Sequence, residues 1–529
     1  MIRVLITDKL AQEGIDLLNS IDGVEAVVKT GVSEDELASI IGEYDGLIIR
    51  SGTKVTAKVL SKPGKLRGIA RAGVGVDNID VPEATRKGIL VMNTPGGNTL
   101  SAAEHTMALM LGMSRNVVPA CVSLKAGAWD RKKYMGNQLN GKVLGLIGLG
   151  RIGMAVAAMA KGFNMKILGF DPLAAPANAE KVGIEVVDDL ERIYKEADYI
   201  SVHVPRNEQT LNMIDKEQIA MMKPSVRLVN CARGGIINED AIYDALAGGK
   251  IAGAALDVYP KEPPENTRFT ESDKCLVTPH LGASTTEAQI EVAVEAAQIL
   301  ADALKGGPVQ NALNAPSTAA ALPKIVNQYQ ELARRIGKLI SVLAAGQIKS
   351  VEVEYRGGIA EMDVQSVTLS FIIGLLQKHF EMPLNMVNAA VLAKERGVSI
   401  DETKNTEIKD VASSFGAKVV TDKVKRTVRG TIFGESLLRI IEIDGFNVEI
   451  TPRGSLLAIY NDDKPGVIGS VGTICGKHGI NICTMGVGDK PAEQKAMLAV
   501  SLDKEPDEKT IEDIRSLDFV NETYVCKLD

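Results

Sequence analysis

The stretch from Val143 to Asp171, VLGLIGLGRIGMAVAAMAKGFNMKILGFD, restricts this chain more than any other part of it. An apolar run, 143–147, has the character of a strand buried on both faces of a parallel sheet. Gly148-Leu149-Gly150-Arg151-Ile152-Gly153 follows without a gap, and small and apolar residues continue at helical spacing to Ala160. A second strand, 166–170, ends on Asp171. Gly148 permits a tight turn, Gly150 lets the backbone approach a pyrophosphate, and Gly153 lets helix and strand pack closely. The free N–H groups at the helix start then face the phosphates. Asp171 stands about twenty residues on, where a carboxylate bonds the adenosine ribose hydroxyls. That carboxylate would repel a 2′-phosphate, and Pro172-Leu173 supplies no cation to hold one, so the expected cofactor is NAD rather than NADP.

Alternating strands and helices extend to both sides. Residues 1–97 read as βα units, with polar and glycine residues just after the strand ends in Arg50-Ser51-Gly52-Thr53 and Gly73-Val74-Gly75-Val76-Asp77-Asn78. In open α/β sheets that is where ligands sit. A long helix is expected over about 100–123, followed by a basic loop, Trp129 to Tyr134. Further strands are expected at 199–204, 227–231, 251–258 and 276–278, and a second long helix at 285–304. Two long helices bracketing a nucleotide-binding domain suggest insertion. The expected division is 1–97 (substrate domain, first part), 98–284 (NAD domain), 285–316 (substrate domain, return), 317–452 (an α+β domain) and 453–529 (a βαββαβ ferredoxin-like module). A Gly-, Ala-, Asn- and Pro-rich linker is expected at 305–323. Such a chain is α/β, with a Rossmann domain inserted in a flavodoxin-like one and two α+β modules behind.

With 529 residues there is room for this many domains. A formal net charge of −7 argues against nucleic acid as a partner. No apolar run reaches membrane-spanning length. The six cysteines are scattered and form no CxxC, so neither a disulfide framework nor a metal site is expected, and a reducing cytoplasm is.

A dehydrogenase must also take a proton from oxygen, and histidine titrates in the right range. Of five histidines, His105 is mid-helix among apolar residues and reads as a core histidine. His203 ends a strand, where structural and cofactor-side roles are equally open. His379 and His478 lie far from the nucleotide motif in sequence. His280, in Thr278-Pro279-His280-Leu281-Gly282-Ala283-Ser284, follows a strand at the sheet's ligand edge and is the candidate acid/base. Glu262, in a proline-fixed loop after the preceding strand, is the candidate orienting carboxylate. Arg233, in Asn230-Cys231-Ala232-Arg233-Gly234-Gly235, offers a planar fork for a substrate carboxylate and carbonyl.

These residues carry a resemblance. The segments NCARGG, AALDVYPKEPP and TPHLGAST are similar to the three catalytic motifs of the D-isomer-specific 2-hydroxyacid dehydrogenases, and RSGTKV, RAGVGVDNID and NTPGGN resemble that family's substrate-side motifs. The tail resembles the long branch of the family, which carries an intervening allosteric-substrate-binding domain and a C-terminal ACT domain. The resemblance implies oxidation of 3-phospho-D-glycerate to 3-phosphooxypyruvate, the first step of serine biosynthesis, by a homodimer or homotetramer with L-serine as effector. It places Arg151, Ile152, Asp171, Val74, Val204, Cys231, Asp257, Gly282 and Ala283 at the cofactor with the three turn glycines. Val74 and Val204 stand where the family often has Thr, so any hydroxyl contact there is lost. Arg50, Ser51 and Asn98 would hold substrate, and Arg131 and Lys132 would reach its phosphate, across a dimer if not within one chain. Asn461, Asp463 and Asn481 would bind serine. Other D-2-hydroxyacid dehydrogenases, and a dinucleotide-sensing binding protein without turnover, are the competing readings. The long tail argues against the first and the Arg233, Glu262, His280 set against the second.

Overall fold

The computed structural model describes residues 1–173, 176–265, 267–316, 323–408, 410–434 and 436–529, with backbone alone at 176–178 and 271. Its first sheet has five parallel strands in the order Val24–Val28, Ile2–Ile6, Gly46–Ile49, Gly68–Arg71, Leu90–Asn93. Gly46–Ile49 is buried at every position, as expected of a strand covered on both faces. Helix Thr286–Leu304 starts on a Thr285 cap that accepts the Ala288 N–H (3.2 Å) and lies over this sheet, with Leu300 and Leu304 filling the space above Gly46 and Gly68. The chain therefore leaves this sheet after Leu90–Asn93 and returns to it about two hundred residues later, because only there can the helix bury its apolar stripe.

The second sheet has seven parallel strands: Cys275–Val277, Gly253–Leu256, Arg227–Asn230, Tyr199–Val202, Val143–Ile147, Lys166–Phe170, Ile184–Val186. Strand order reverses between Val143–Ile147 and Tyr199–Val202, which opens the crevice in which α/β sheets bind ligands. The ladder is shorter than the apolar runs suggested. It stops at Val202, Asn230 and Leu256, leaving Val204 and Cys231 on loops that line this crevice, whereas Asp257, placed at the cofactor by the resemblance, is fully buried and does not line it.

The helix expected over 100–123 is two helices, Thr99–Ser114 and Val117–Lys125, meeting at 62°. Asn116 breaks it with φ of 52°, a left-handed conformation that Asn tolerates better than most residues. Among the described residues no single helix is long and apolar enough to cross a membrane.

The third sheet runs Ser399–Asn405, Ile348–Gly357, Ser413–Thr421, Lys425–Phe433, Leu437–Ile443, Phe446–Ile450, under helices Lys324–Leu343 and Gln365–Leu376. Two of its strands escape a pattern search. Ser399–Asn405 is a polar edge strand, and Ser413–Thr421 opens on Ser-Ser-Phe-Gly rather than on an alternating pattern. Part of the expected linker, 317–322, lies outside the described residues.

The fourth sheet is antiparallel, in the order Ile482–Lys490, Lys495–Leu502, Ser455–Asp462, Val520–Lys527, with helices Val467–Lys477 and Glu508–Arg515 on one face. This is the ferredoxin-like order. The helices cover Leu457, Ile459, Leu498 and Val500. The other face, with Leu456, Ala458, Met497, Ala499 and Cys526, belongs to the same apolar core as helix Lys324–Leu343. Third and fourth sheets thus share one core. Arg426 ties them at the edge, donating to Asp444 (2.9 Å), Glu522 (2.9 Å) and the Leu343 carbonyl (3.0 Å).

Candidate active site

The glycine turn is built as its spacing demands. Gly148 has φ of 97°, and a Cβ there would collide with the His203 carbonyl; one on Gly153 would collide with the Gly148 carbonyl. A Cβ on Gly150 would meet nothing within 4 Å, so that side of the turn is open to a bulky group. Helix Arg151–Gly162 begins at Gly150 without a side-chain cap, which leaves its first N–H groups directed at an anion. Asp171 ends the next strand. Its Oδ2 accepts the Leu149 N–H (2.9 Å) and its Oδ1 the Leu173 N–H (2.8 Å), so the carboxylate is fixed beside the turn with lone pairs to spare for ribose hydroxyls. An open glycine turn, uncapped amides and a fixed acid fit NAD.

From the turn a crevice of about 410 Å³ leads inward past Ile152, Val74, Val204, Cys231, Gly282 and Ala283. Burial pushes the Cys231 thiol up to about 12, so it presents a neutral, small surface. His203 lies here too. Burial pushes it down to about 4 and its Nε2 is 2.9 Å from Ser201 Oγ, so it is a neutral histidine and no reservoir for a proton at neutral pH.

The crevice opens into a cleft of about 700 Å³ between the two parallel sheets. Arg233 reaches it from the loop after Arg227–Asn230. Asn230, nearly fully buried, closes that loop by donating to the Arg233 carbonyl (2.9 Å) and accepting the Ala232 N–H (3.0 Å). Arg233 Nε donates to Asp77 Oδ2 across the cleft (3.3 Å) and one terminal nitrogen to the Ala232 carbonyl (2.7 Å). The other terminal nitrogen sits over Gly75, where any side chain would displace it. Gly234 packs so tightly on Tyr259 and Pro260 that a Cβ would overlap their backbone, which locks the Arg233 loop to the loop carrying Glu262.

Glu262 Oε1 accepts the Tyr259 N–H (3.2 Å), and its Oε2 lies 2.7 Å from Nδ1 of His280. A carboxylate only accepts, so Nδ1 carries the proton and Nε2 is the basic nitrogen. His280 itself has φ of 56°. Arg233, Glu262 and His280 line one cleft, so a guanidinium and a ring nitrogen able to accept a proton face the same space.

The other expected substrate residues divide. Ser51 and Asn98 line the cleft, and Asn98 Oδ1 is buried without a hydrogen-bond partner. Arg50 stands behind it, donating to the Lys9 carbonyl (3.2 Å) with its backbone N–H on Asp8 (2.6 Å). Arg131 and Lys132 are exposed on a separate turn and do not line this cleft within one chain. Arg71, Arg206 and Lys54, which no motif singles out for the substrate, also line it. Arg71 is held down to about 10 by burial and by the nearby Arg233 and Arg50 charges, and its Nε has no hydrogen-bond partner. Its signal was available, since it is the last residue of Gly68–Arg71 and opens the segment RAGVGVDNID.

In the last module Asn461 is 1% exposed; it donates to the Asp462 carbonyl (2.7 Å), and its Oδ1 is buried without a partner. Asp463 is exposed and does not cap the following helix, whose start, Gly466, has no side-chain cap. Asn481 lies at the opposite end of the sheet. Asn461 pairs with Ala496, whereas Ile482, next to Asn481, pairs with Leu502. Six residues of strand between them correspond to roughly 20 Å.

Comparison with known proteins agrees with the geometry. Residues 107–282 match the family profile of the D-isomer specific 2-hydroxyacid dehydrogenase NAD binding domain, and residues 325–444 match that of the D-3-phosphoglycerate dehydrogenase intervening domain. The chain is 41% identical to the D-3-phosphoglycerate dehydrogenase of Archaeoglobus fulgidus, over 99% of each chain. It is 40% identical to that of Synechocystis sp., over 100% of this chain and 95% of the relative. Among solved structures, D-lactate dehydrogenase from Aquifex aeolicus complexed with NAD and lactic acid superposes on 59% of this chain and 100% of its own, with TM-score 0.53 and 29% identity. A glyoxylate reductase from Paecilomyes thermophila covers 59% of this chain and 98% of its own, with TM-score 0.54 and 28% identity.

Proposed function

The chain belongs to the D-3-phosphoglycerate dehydrogenase family and is an NAD-dependent oxidoreductase, and from that premise we propose that it oxidises 3-phospho-D-glycerate to 3-phosphooxypyruvate, the first step of L-serine biosynthesis, under feedback by serine at its last module. The observation that carries the choice of substrate is the charge of the cleft. Arg71, Arg206, Arg233 and Lys54 line it and outnumber Asp77 and Asp80, with the His280–Glu262 pair at one side. A lactate-sized acid uses one cation for its carboxylate. A substrate with a carboxylate and a phosphate uses several, and guanidinium groups suit both.

In the proposed reaction Arg233 binds the carboxylate and the C2 oxygen. His280 Nε2 takes the C2 hydroxyl proton as negative charge grows on that oxygen, and Glu262 stabilises the imidazolium that results. NAD, when bound, supplies the hydride acceptor. Ser51, Asn98 and Arg71 orient the remaining substrate groups, and Arg50 supports the same wall from behind. Division of the chain into the five segments expected from sequence fits this reading, with the cleft between 1–97 and 98–284.

Serine control is supported by the buried, unpartnered oxygen of Asn461 and the exposed carboxylate of Asp463 beside it. Asn481 joins them only if a second copy of the module is placed alongside, which also favours a homodimer or homotetramer. Exposed Val117, Val118, Val122, Leu124 and Trp129 around Val117–Lys125 offer a second apolar surface for self-association. A cytoplasmic setting fits six cysteines that are all unpaired.

The test is NADH formation from 3-phospho-D-glycerate, D-glycerate and D-lactate, each with and without serine. The reading expects kcat/KM for the phosphorylated acid to exceed that for D-glycerate by roughly 10² or more, the scale of one or two charge-assisted hydrogen bonds. Equal values for the two acids would overturn the substrate assignment, and rates indifferent to serine would overturn the effector.

A further inference from the structure

His280 adopts a left-handed backbone (φ of 56°), which a residue with a Cβ keeps only where its surroundings enforce it. The enforcement comes from below. Asp257, fully buried, accepts the N–H of Leu281 on Oδ1 (2.7 Å) and the N–H of Gly282 on Oδ2 (2.8 Å), so the two amides that follow His280 hang on one carboxylate. Thr278 Oγ1 donates to the same Oδ1 (2.5 Å), fixing the residue two before His280. The carbonyl of Thr278 accepts from the Tyr259 hydroxyl (2.9 Å).

The carboxylate is itself held by His105. Nε2 of His105 lies 3.1 Å from Asp257 Oδ1 and 3.1 Å from Thr278 Oγ1. The threonine proton is committed to Asp257, and a carboxylate accepts only, so Nε2 of His105 must carry the hydrogen and share it between both oxygens. Burial raises the proton affinity of Asp257, but the bonds from His105, Thr278, Leu281 and Gly282 outweigh it and keep the group below the usual carboxylate range. One turn earlier on the same helix, Ser101 Oγ donates to the Gly282 carbonyl (2.8 Å). Helix Thr99–Ser114 therefore grips the His280 loop twice, while its first turn follows Asn98 at the cleft.

We propose that His105, through Asp257, is a positioning residue for His280: it sets the angle at which the imidazole faces the C2 hydroxyl, and it links that angle to the helix that joins the two parallel-sheet domains. This rests on the reading of His280 as the proton acceptor. His105 lines neither the cleft nor the crevice, so its effect is expected in turnover rather than in binding.

The experiment is a double-mutant cycle on the full chain. His105→Leu removes the donor and keeps bulk, and it should lower kcat about ten- to a hundredfold, the scale of a reacting group displaced by up to an ångström, with KM for 3-phospho-D-glycerate within about threefold. His105→Gln places an amide N–H near the lost Nε2 and should recover most of that loss. In a His280→Ala background, where no imidazole remains to be aimed, His105→Leu should change kcat less than about twofold, because residues that act through one another are not additive. A full additional loss in that background would overturn the proposal and make His105 a structural residue. So would normal turnover in His105→Leu. If His280→Ala alone retained normal turnover, the assignment of the proton acceptor would fall, and this proposal with it.

Discussion

Nδ1 of His280 and Oε2 of Glu262 are 2.7 Å apart, brought together from two loops at the ends of neighbouring parallel strands. The bond determines which ring nitrogen is basic and places a negative charge where the imidazole becomes positive. His280→Ala should lower turnover by roughly two to four orders of magnitude, the range for loss of a general base. Glu262→Gln keeps a hydrogen-bonding group but not the charge, so it should cost less, on the order of tenfold or more. Steady-state NADH formation measures both, and a direct titration with NAD should find its affinity little changed in either variant, because the glycine turn is elsewhere.

Arg71 makes a separable prediction. It is a half-buried cation beside two others, with an unpartnered Nε. If it serves the phosphate end of the substrate, Arg71→Ala should reduce kcat/KM for 3-phospho-D-glycerate by roughly ten- to a hundredfold, the worth of a charge-assisted hydrogen bond. For D-glycerate the change should stay within a few fold. A parallel loss on both acids would place Arg71 at the carboxylate instead.

Asp171 should set cofactor choice. Its carboxylate is fixed by the Leu149 and Leu173 amides, so it cannot swing away from a 2′-phosphate. Asp171→Ala removes both the ribose partner and the repulsion. The ratio of kcat/KM with NAD to that with NADP should fall, and an unchanged ratio would mean the choice is made elsewhere.

Much of this site was legible because parallel α/β sheets put ligand groups at one place, the ends of strands. Arg233, Glu262, His280 and the glycine turn all follow from that rule and from local spacing. What was not legible depends on long-range geometry. His105 reads as a core histidine from its helix alone, and only the fold brings it to Asp257, 152 residues away. The break at Asn116 is a single left-handed residue in a sequence that otherwise continues as helix. The strand Ser399–Asn405 is polar because it sits at a sheet edge, where apolar alternation is not needed. The shared core of the third and fourth sheets likewise has no sequence signature, since a sheet covered on both faces shows apolar residues without saying what covers them.

His203 gives the pH prediction. It is partly buried at the crevice wall, and desolvation pushes it down to about 4, whereas an unfolded histidine titrates near 6.5. Between those values the unfolded chain binds a proton that the folded one does not, so stability rises with pH across the window. The contribution is fully present above about pH 6.5 and falls away as the pH drops toward 4, by about 3 kcal/mol in all. His203→Asn is uncharged in both states and should flatten this limb. Urea midpoints of the two proteins between pH 7 and 4.5 test it, and parallel curves would assign the acid sensitivity to other groups.

The last prediction concerns the final module and follows from its register. Asn461 and Asp463 stand at one end of the sheet and Asn481 roughly 20 Å away at the other, by strand spacing. If all three serve one serine, two copies must contribute, and each pair of modules holds two sites related by symmetry. Cutting the chain after Arg453 is a poor test, because it would strip Leu456, Ala458, Met497 and Ala499 from a core shared with helix Lys324–Leu343. Point variants avoid that. Asp463→Ala and Asn481→Ala, each alone, should keep dehydrogenase activity and lose most of the serine response, a coupling of roughly 1–3 kcal/mol between the module and the catalytic cleft. Co-expressing the two variants, with different tags so that mixed pairs can be purified, then separates the possibilities. A shared site leaves one intact site in each mixed pair and one doubly altered, so inhibition by serine should return in part. A site contained in one chain would be damaged in both partners, and the mixed pairs would stay as insensitive as their parents.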